Sequence, residues 1–204
     1  MLRRLLQLYI GLVLYGVSTA LFVHANLGAD PWDVFHLGVA KQLGISFGTV
    51  IILTGAAVLL LWIPIRQMPG LGTVSNVIVL GLAADATLAV LPPLESMVAR
   101  SALLVGAIVL NAIATGMYIG AGFGPGPRDG LMTGLHARTG WSLRGIRTAI
   151  ELSVLLIGWL LGGKFGVGTV IYALSIGPLI QLCLPWLSQP VRRNAVSPPR
   201  EIVS

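Results

Sequence analysis

Charged side chains are scarce in this chain. Lys, Arg, Asp and Glu make up 10% of its 204 residues, where a soluble domain carries about a quarter, and that scarcity excludes an ordinary water-soluble fold. Cysteine is nearly absent too. Cys183 stands alone in the last apolar run, which rules out an internal disulfide or a cysteine-based metal site and leaves it a small core residue. Acidic residues number 7 against 13 Lys and Arg, for a net charge of +6. In a soluble protein that balance would suggest nucleic acid. Here the basic residues sit mostly at the ends of apolar runs and in the tail, which is the pattern of membrane topology, and nucleic acid is not an expected partner. Enzyme signatures are missing as well: no H-E-x-x-H, no P-loop, no G-x-S-x-G and no metal-ligand spacing. Neither catalysis nor a cofactor is expected, and direct ATP drive would need a separate subunit.

What is present is oil. Apolar residues reach 55% and the mean hydropathy is +0.89, concentrated in runs that approach or exceed the roughly 20 residues a helix needs to cross a bilayer. The expected spans are about 5–25, 46–65, 71–92, 101–121, 145–162 and 167–187. They are too long and unbroken for barrel strands.

Between the oily runs lies a polar break, Asn26-Leu27-Gly28-Ala29-Asp30-Pro31-Trp32-Asp33, and it occurs twice. Ninety-six positions on, Gly122-Phe123-Gly124-Pro125-Gly126-Pro127-Arg128-Asp129 keeps its frame, and the offset carries on through Gly44/Gly140, Ser46/Ser142, Gly70/Gly166 and Thr73/Thr169. The chain reads as a tandem duplication: repeat 1 over 1–96, repeat 2 over 97–189, and a basic cytoplasmic tail over 190–204. Residues 9–25 map onto 105–121. The first helix therefore has an internal counterpart and is expected to be retained rather than cleaved as a signal, with Arg3 and Arg4 holding the N-terminus in the cytoplasm.

After each break the sequence predicts a short helix, Pro31 to Leu43 and Pro127 to Thr139, with Pro at the first helical position, Asp30 as N-cap and Gly44 or Gly140 at the end. About 13 residues cannot span. If these segments dip, each repeat has three crossings and the halves are inverted; if they cross, the halves are parallel. The short length favours inversion. The expected architecture is thus an all-α membrane protein of about six transmembrane helices plus two half-helices, in two tandem, inverted repeats of the bacterial plasma membrane, with both termini cytoplasmic.

Broken helices in inverted repeats can meet near the midplane and supply a polar site in an apolar medium. The expected substrate-binding set is Asp30, Trp32, Asp33, His36, Arg128 and Asp129. Helix N-termini and Arg128 favour an anionic or carboxylate-bearing solute, while Asp33 and Asp129 either cap their own helices or take a coupling cation or proton. Asp85, mid-span without a basic neighbour, and Glu151, four residues after Arg147, are candidates for coupling or path lining. Their plainer readings are an interhelical hydrogen bond for Asp85 and an i,i+4 ion pair for Glu151.

The blocks around the breaks also carry a resemblance. Leu27-Gly28-Ala29-Asp30-Pro31-Trp32-Asp33-Val34-Phe35-His36, Gly44-Ile45-Ser46-Phe47-Gly48 and Gly126-Pro127-Arg128-Asp129-Gly130-Leu131-Met132, with Gly70-Leu71-Gly72-Thr73 and Gly166-Val167-Gly168-Thr169, resemble the YczE/YyaS/YitT-type bacterial integral membrane proteins over about 8–187. That resemblance implies a multi-spanning plasma-membrane protein, generally supposed to be a transporter. The leading expectation is a secondary transporter or facilitator of a small polar or anionic solute. The alternative is a non-transporting substrate-binding or regulatory subunit, and the expected partners are the lipid bilayer and either a homo-oligomer or an accessory subunit.

Overall fold

The computed structural model describes residues 1–188; the basic tail expected over 190–204 lies outside the described residues. Among the described residues eight helices follow one another: α1 (Leu2–Ala25), α2 (Pro31–Leu43), α3 (Phe47–Ile65), α4 (Leu71–Val90), α5 (Met97–Gly120), α6 (Pro127–Thr139), α7 (Leu143–Leu160) and α8 (Val167–Leu187). Local chemistry sets their ends. Asp30 caps α2 by accepting from the Asp33 N–H at 2.8 Å, with Pro31 at the first helical position, and Gly44 ends the helix at φ 66°. Ser46 and Ser142 cap α3 and α7 by accepting from the N–H groups of Thr49 and Gly145, each satisfying a donor that the helix start leaves unpaired.

Five helices, α1, α3, α4, α5 and α8, are long and apolar enough to cross a membrane, as a multi-pass membrane fold requires. The remaining long helix, α7, was expected as a sixth crossing. It falls short on composition because its first half carries Arg144, Arg147 and Glu151, and two of those face a polar interior described below.

The core is the pair α1 and α5, which run antiparallel. At one end the Arg4 guanidinium donates to the carbonyls of Ala121 (2.9 Å) and Gly122 (3.1 Å) just past α5; at the other, Arg100 near the start of α5 donates to Ala25 and Asn26 at the end of α1, both at 2.8 Å. Charged donors thereby satisfy carbonyls that helix ends cannot pair internally. α4 packs on α1, α8 on α5, α3 on α4, α7 on α2, and α6 on α3. Backbone joins the two sides again where the Gly72 N–H meets the Phe123 carbonyl (2.9 Å) and the Gly168 N–H meets that of Leu27 (2.8 Å).

The same end of the bundle holds the close of α1, the opening of α3 and the close of α4. His24 bonds the Pro92 carbonyl there at 2.7 Å, and Phe47 packs with Ala20 and Ala84. The chain between α1 and α3 therefore folds inward at Ala29, which is buried against Leu104 and Ala107, and α2 brings it back out to Gly44.

Candidate functional site

Both breaks turn inward at a glycine in the left-handed region, Gly28 (φ 108°) and Gly124 (φ 113°). Each sits hard against the start of a long helix: a Cβ on Gly28 would lie 2.7 Å from the Gly166 nitrogen, and one on Gly124 would lie 3.0 Å from Thr73 Oγ1. Only glycine meets both demands, the positive φ and the close approach. Thr73 then bonds the Pro125 carbonyl at 2.7 Å and the Trp62 indole bonds that of Pro127 at 3.0 Å, which fixes the start of α6.

So held, the two breaks face one another. Arg128, the second residue of α6, reaches across to Asp30 Oδ2 at 3.5 Å and to Asp33 Oδ1 at 3.9 Å, and its guanidinium stacks 4.8 Å from the Trp32 ring. Asp33 is buried and also meets His36 Nδ1 at 3.3 Å. Asp129 accepts from the Tyr118 hydroxyl at 2.8 Å. All six residues of the expected binding set thus lie on the two short helices and their caps. Their charge balance differs from the expectation, however. Asp30 and Asp33 already occupy the positive end of α2 and share one guanidinium, while Asp129 is held by Tyr118.

Two cavities of about 70 Å³ each flank Arg128 and share Tyr15, Trp32 and Asp129 in their walls; one extends toward Asn76 and Tyr118, the other toward Asp30, Arg147, Glu151 and Tyr172. Two buried polar atoms have no hydrogen-bond partner among the described residues: the Trp32 indole nitrogen, whose ring is on both cavity walls, and Asp33 Oδ2, beside Arg128 but on neither wall. An unpaired buried donor and acceptor each cost free energy unless something supplies the missing bond. Among the described residues no cluster suits a metal ion.

Sequence reasoning did not single out as site residues Tyr15, Asn76, Tyr118 or Tyr172, all of which line these cavities. The duplication carried a signal for three of them, because the offset of ninety-six pairs Asn76 with Tyr172 and Tyr15 with Asn111. In the structure Tyr172 donates to Asn111 Oδ1 (3.2 Å) and Asn111 to Ser18 Oγ (2.9 Å), so these hydrogen bonds tie α1, α5 and α8 together behind the cavity.

The two coupling candidates separate. Glu151 pairs with Arg147 at 2.8 Å on α7 and lines the cavity beside Asp30. Asp85 lies apart from the site. It accepts from Ser46 Oγ at 2.5 Å and from the Gly48 N–H at 2.6 Å, capping the start of α3 from the neighbouring α4. Its carboxylate faces the positive end of that helix, an interhelical hydrogen bond strengthened by charge.

Three known proteins are similar to this chain over most of its length. An uncharacterized protein of Haemophilus influenzae is 38% identical over 177 residues, 87% of this chain and 81% of the relative. The uncharacterized membrane protein YczE of Bacillus subtilis is 30% identical over 179 residues, covering 87% and 83% of the two chains. YyaS, another uncharacterized protein of that organism, is 23% identical over 180 residues, covering 86% and 90%. No solved structure matches. Residues 2–185 match the model of a family of unknown function, DUF6198, and the chain belongs to that family of bacterial multi-pass membrane proteins.

Proposed function

We propose that this protein is a secondary transporter or facilitator whose solute pocket is the junction of the two breaks, and that the solute carries a cationic group. The observation that carries this reading is the bridge from Arg128, on the wall of both cavities, to Asp30 and to a buried Asp33 whose Oδ2 has no partner among the described residues. Arg128 is the pocket's own counter-ion to Asp30 and Asp33. A solute cation displaces it from the carboxylates and pairs with them in its place, while the Trp32 face accepts either cation. The anion expected from helix N-termini alone is disfavoured, since carboxylates stand where it would bind.

The test uses guanidinium, which keeps its charge and so does not cross lipid as a neutral base. In proteoliposomes, Asp33→Asn and Asp129→Asn are expected to lower guanidinium counterflow roughly tenfold or more, the worth of one charge-assisted contact, and Glu151→Gln much less. Saturable binding without flux would point to the subunit reading instead. Equal losses in all three variants would remove the breaks from the centre of the function.

The reading includes an inverted duplication, with halves 1–96 and 97–189, α7 as the sixth crossing, and both termini in the cytoplasm. Support comes from the antiparallel run of α1 and α5, whose arginines clasp each other's helix ends at positions ninety-six apart. Lys41, Arg100 and Lys164 then lie outside, a minority of the basic residues, as the positive-inside rule prefers. Single cysteines at Lys41 and Arg138, in a Cys183→Ala background, are expected to react with an impermeant maleimide from opposite faces of the membrane. Labelling from one face would contradict inversion.

A further inference from the structure

The two halves differ in one respect that the duplication does not require. α3 and α4 pack closely, with Gly48 against Gly81 and Gly55 against Val77; a Cβ on Gly81 would sit 2.5 Å from the Gly48 carbonyl oxygen. The positions ninety-six residues later are Arg144, Gly177, Glu151 and Ala173. Large or charged residues replace both glycines of the first helix, and Gln181 replaces the capping Asp85. A Cβ on Gly177 would meet nothing within 4 Å. α7 packs on α2 and α8 on α5, and a cleft of about 260 Å³ stands between them.

That cleft is not an isolated dent. Its inner end is formed by Pro31 and Glu151, which also line the cavity beside Asp30 and Arg128. Its middle is Leu152, Leu155 and Phe165, which also line a wholly apolar hollow of about 460 Å³ on the outer face beside Trp159. From the inside outward, three neighbouring cavities that share these wall residues thus pass from carboxylate to hydrocarbon.

We propose that this cleft is a side entrance from the bilayer, and that the solute is an amphipathic cation whose head reaches the pocket while its hydrocarbon tail lies between α7 and α8. The inference rests on the pocket being the solute site. Charge complementarity selects the head: Arg147 and Glu151 on the cavity wall neutralise each other, which leaves Asp30 and Asp129 there against the single guanidinium of Arg128. The tail is selected by Leu152, Leu155 and Leu174, which offer it a groove open to lipid where no water is needed to carry it in. A polar solute without a tail would need only the two small cavities.

The experiment uses octylguanidinium bearing a photoreactive diazirine at the tail end, with the full chain in lipid nanodiscs. Irradiation is expected to label α7 and α8 at the cleft, and excess unmodified guanidinium is expected to prevent it, since head and tail belong to one bound molecule. Ala173→Trp and Val170→Trp place a ring in the cleft at exposed positions. Each is expected to cut the labelling roughly tenfold, about the cost of overpacking a filled groove, while guanidinium binding itself stays at the wild-type level. Labelling spread over the lipid-facing surfaces of α3 and α4, insensitive to guanidinium or to the tryptophans, would mean bulk lipid alone and overturn the proposal. A disulfide dimer through Leu156→Cys in a Cys183→Ala background would seat a second copy over the mouth and overturn it too. If guanidinium does not bind at all, the pocket reading falls first and this one with it; if guanidinium binds but its tail labels elsewhere, only the side entrance fails.

Discussion

Arg128→Met is expected to destabilise the fold by about 3–5 kcal/mol, the usual consequence of stranding one side of a buried ion pair. Asp30 and Asp33 would be left facing each other without the guanidinium that bridges them at 3.5 and 3.9 Å. Thermal unfolding in detergent reads the loss. Two companions make it specific. Arg128→Met combined with Asp30→Asn is expected to recover much of the melting temperature, because the variant removes charge from both sides. Added guanidinium at millimolar concentration is expected to recover part of it in the single variant, by occupying the place the arginine left. Arg128→Lys should fall between, since an ammonium keeps the charge but neither forks to two carboxylates nor stacks on Trp32 in the same way. A single variant as stable as wild type would show that the carboxylates do not depend on Arg128, and the counter-ion role would be lost.

The second large effect is expected at Gly158. α2 and α7 meet there without side chains between them: a Cβ on Gly158 would run into the backbone of Val34 and Phe35, and one on Gly38 would lie 2.5 Å from the Gly158 carbonyl oxygen. Small residues that let backbones touch are a common means of holding helices together where lipid removes the hydrophobic drive between them. Gly158→Val is expected to cost at least about 3 kcal/mol, because backbone on the far side cannot step aside as a side chain could. It should also abolish guanidinium binding, since α2 carries Asp33 and His36 on the turn that would be displaced. Gly177→Val is the control. With nothing within 4 Å of an added Cβ, it is expected to melt within about 0.5 kcal/mol of wild type, as substitutions away from packed contacts do. Equal melting of the two variants would refute the seam.

How far these features could be read in advance depends on how local their causes are. The short helix α2 was legible because Asp30, Pro31 and Gly44 specify its ends within the segment itself, and Gly140 closes α6 in the same way. The spans follow from run length, except α7, where Arg147 and Glu151 face the cavity and dilute the apolar signal. Asp85 was legible as a mid-span carboxylate but not as a cap, because its partners Ser46 and Gly48 are 39 and 37 positions away. Tyr118 was passed over for a similar reason: an aromatic in an apolar run reads as core until the Asp129 it donates to is brought beside it. The charge balance across the breaks was not legible either. Each helix start taken alone favours negative charge, and only their convergence reveals that the chain already supplies three carboxylates.

The arginine clasps bear on how the protein is made. Arg4 satisfies the carbonyls that follow α5, and Arg100 satisfies those that close α1, so each half finishes the other's helix. During synthesis the leading half reaches the lipid with the end of its first helix still open. Those carbonyls gain their charged partner once Arg100, at the start of α5, emerges, so the first helix is finished as soon as the trailing half begins to enter the membrane.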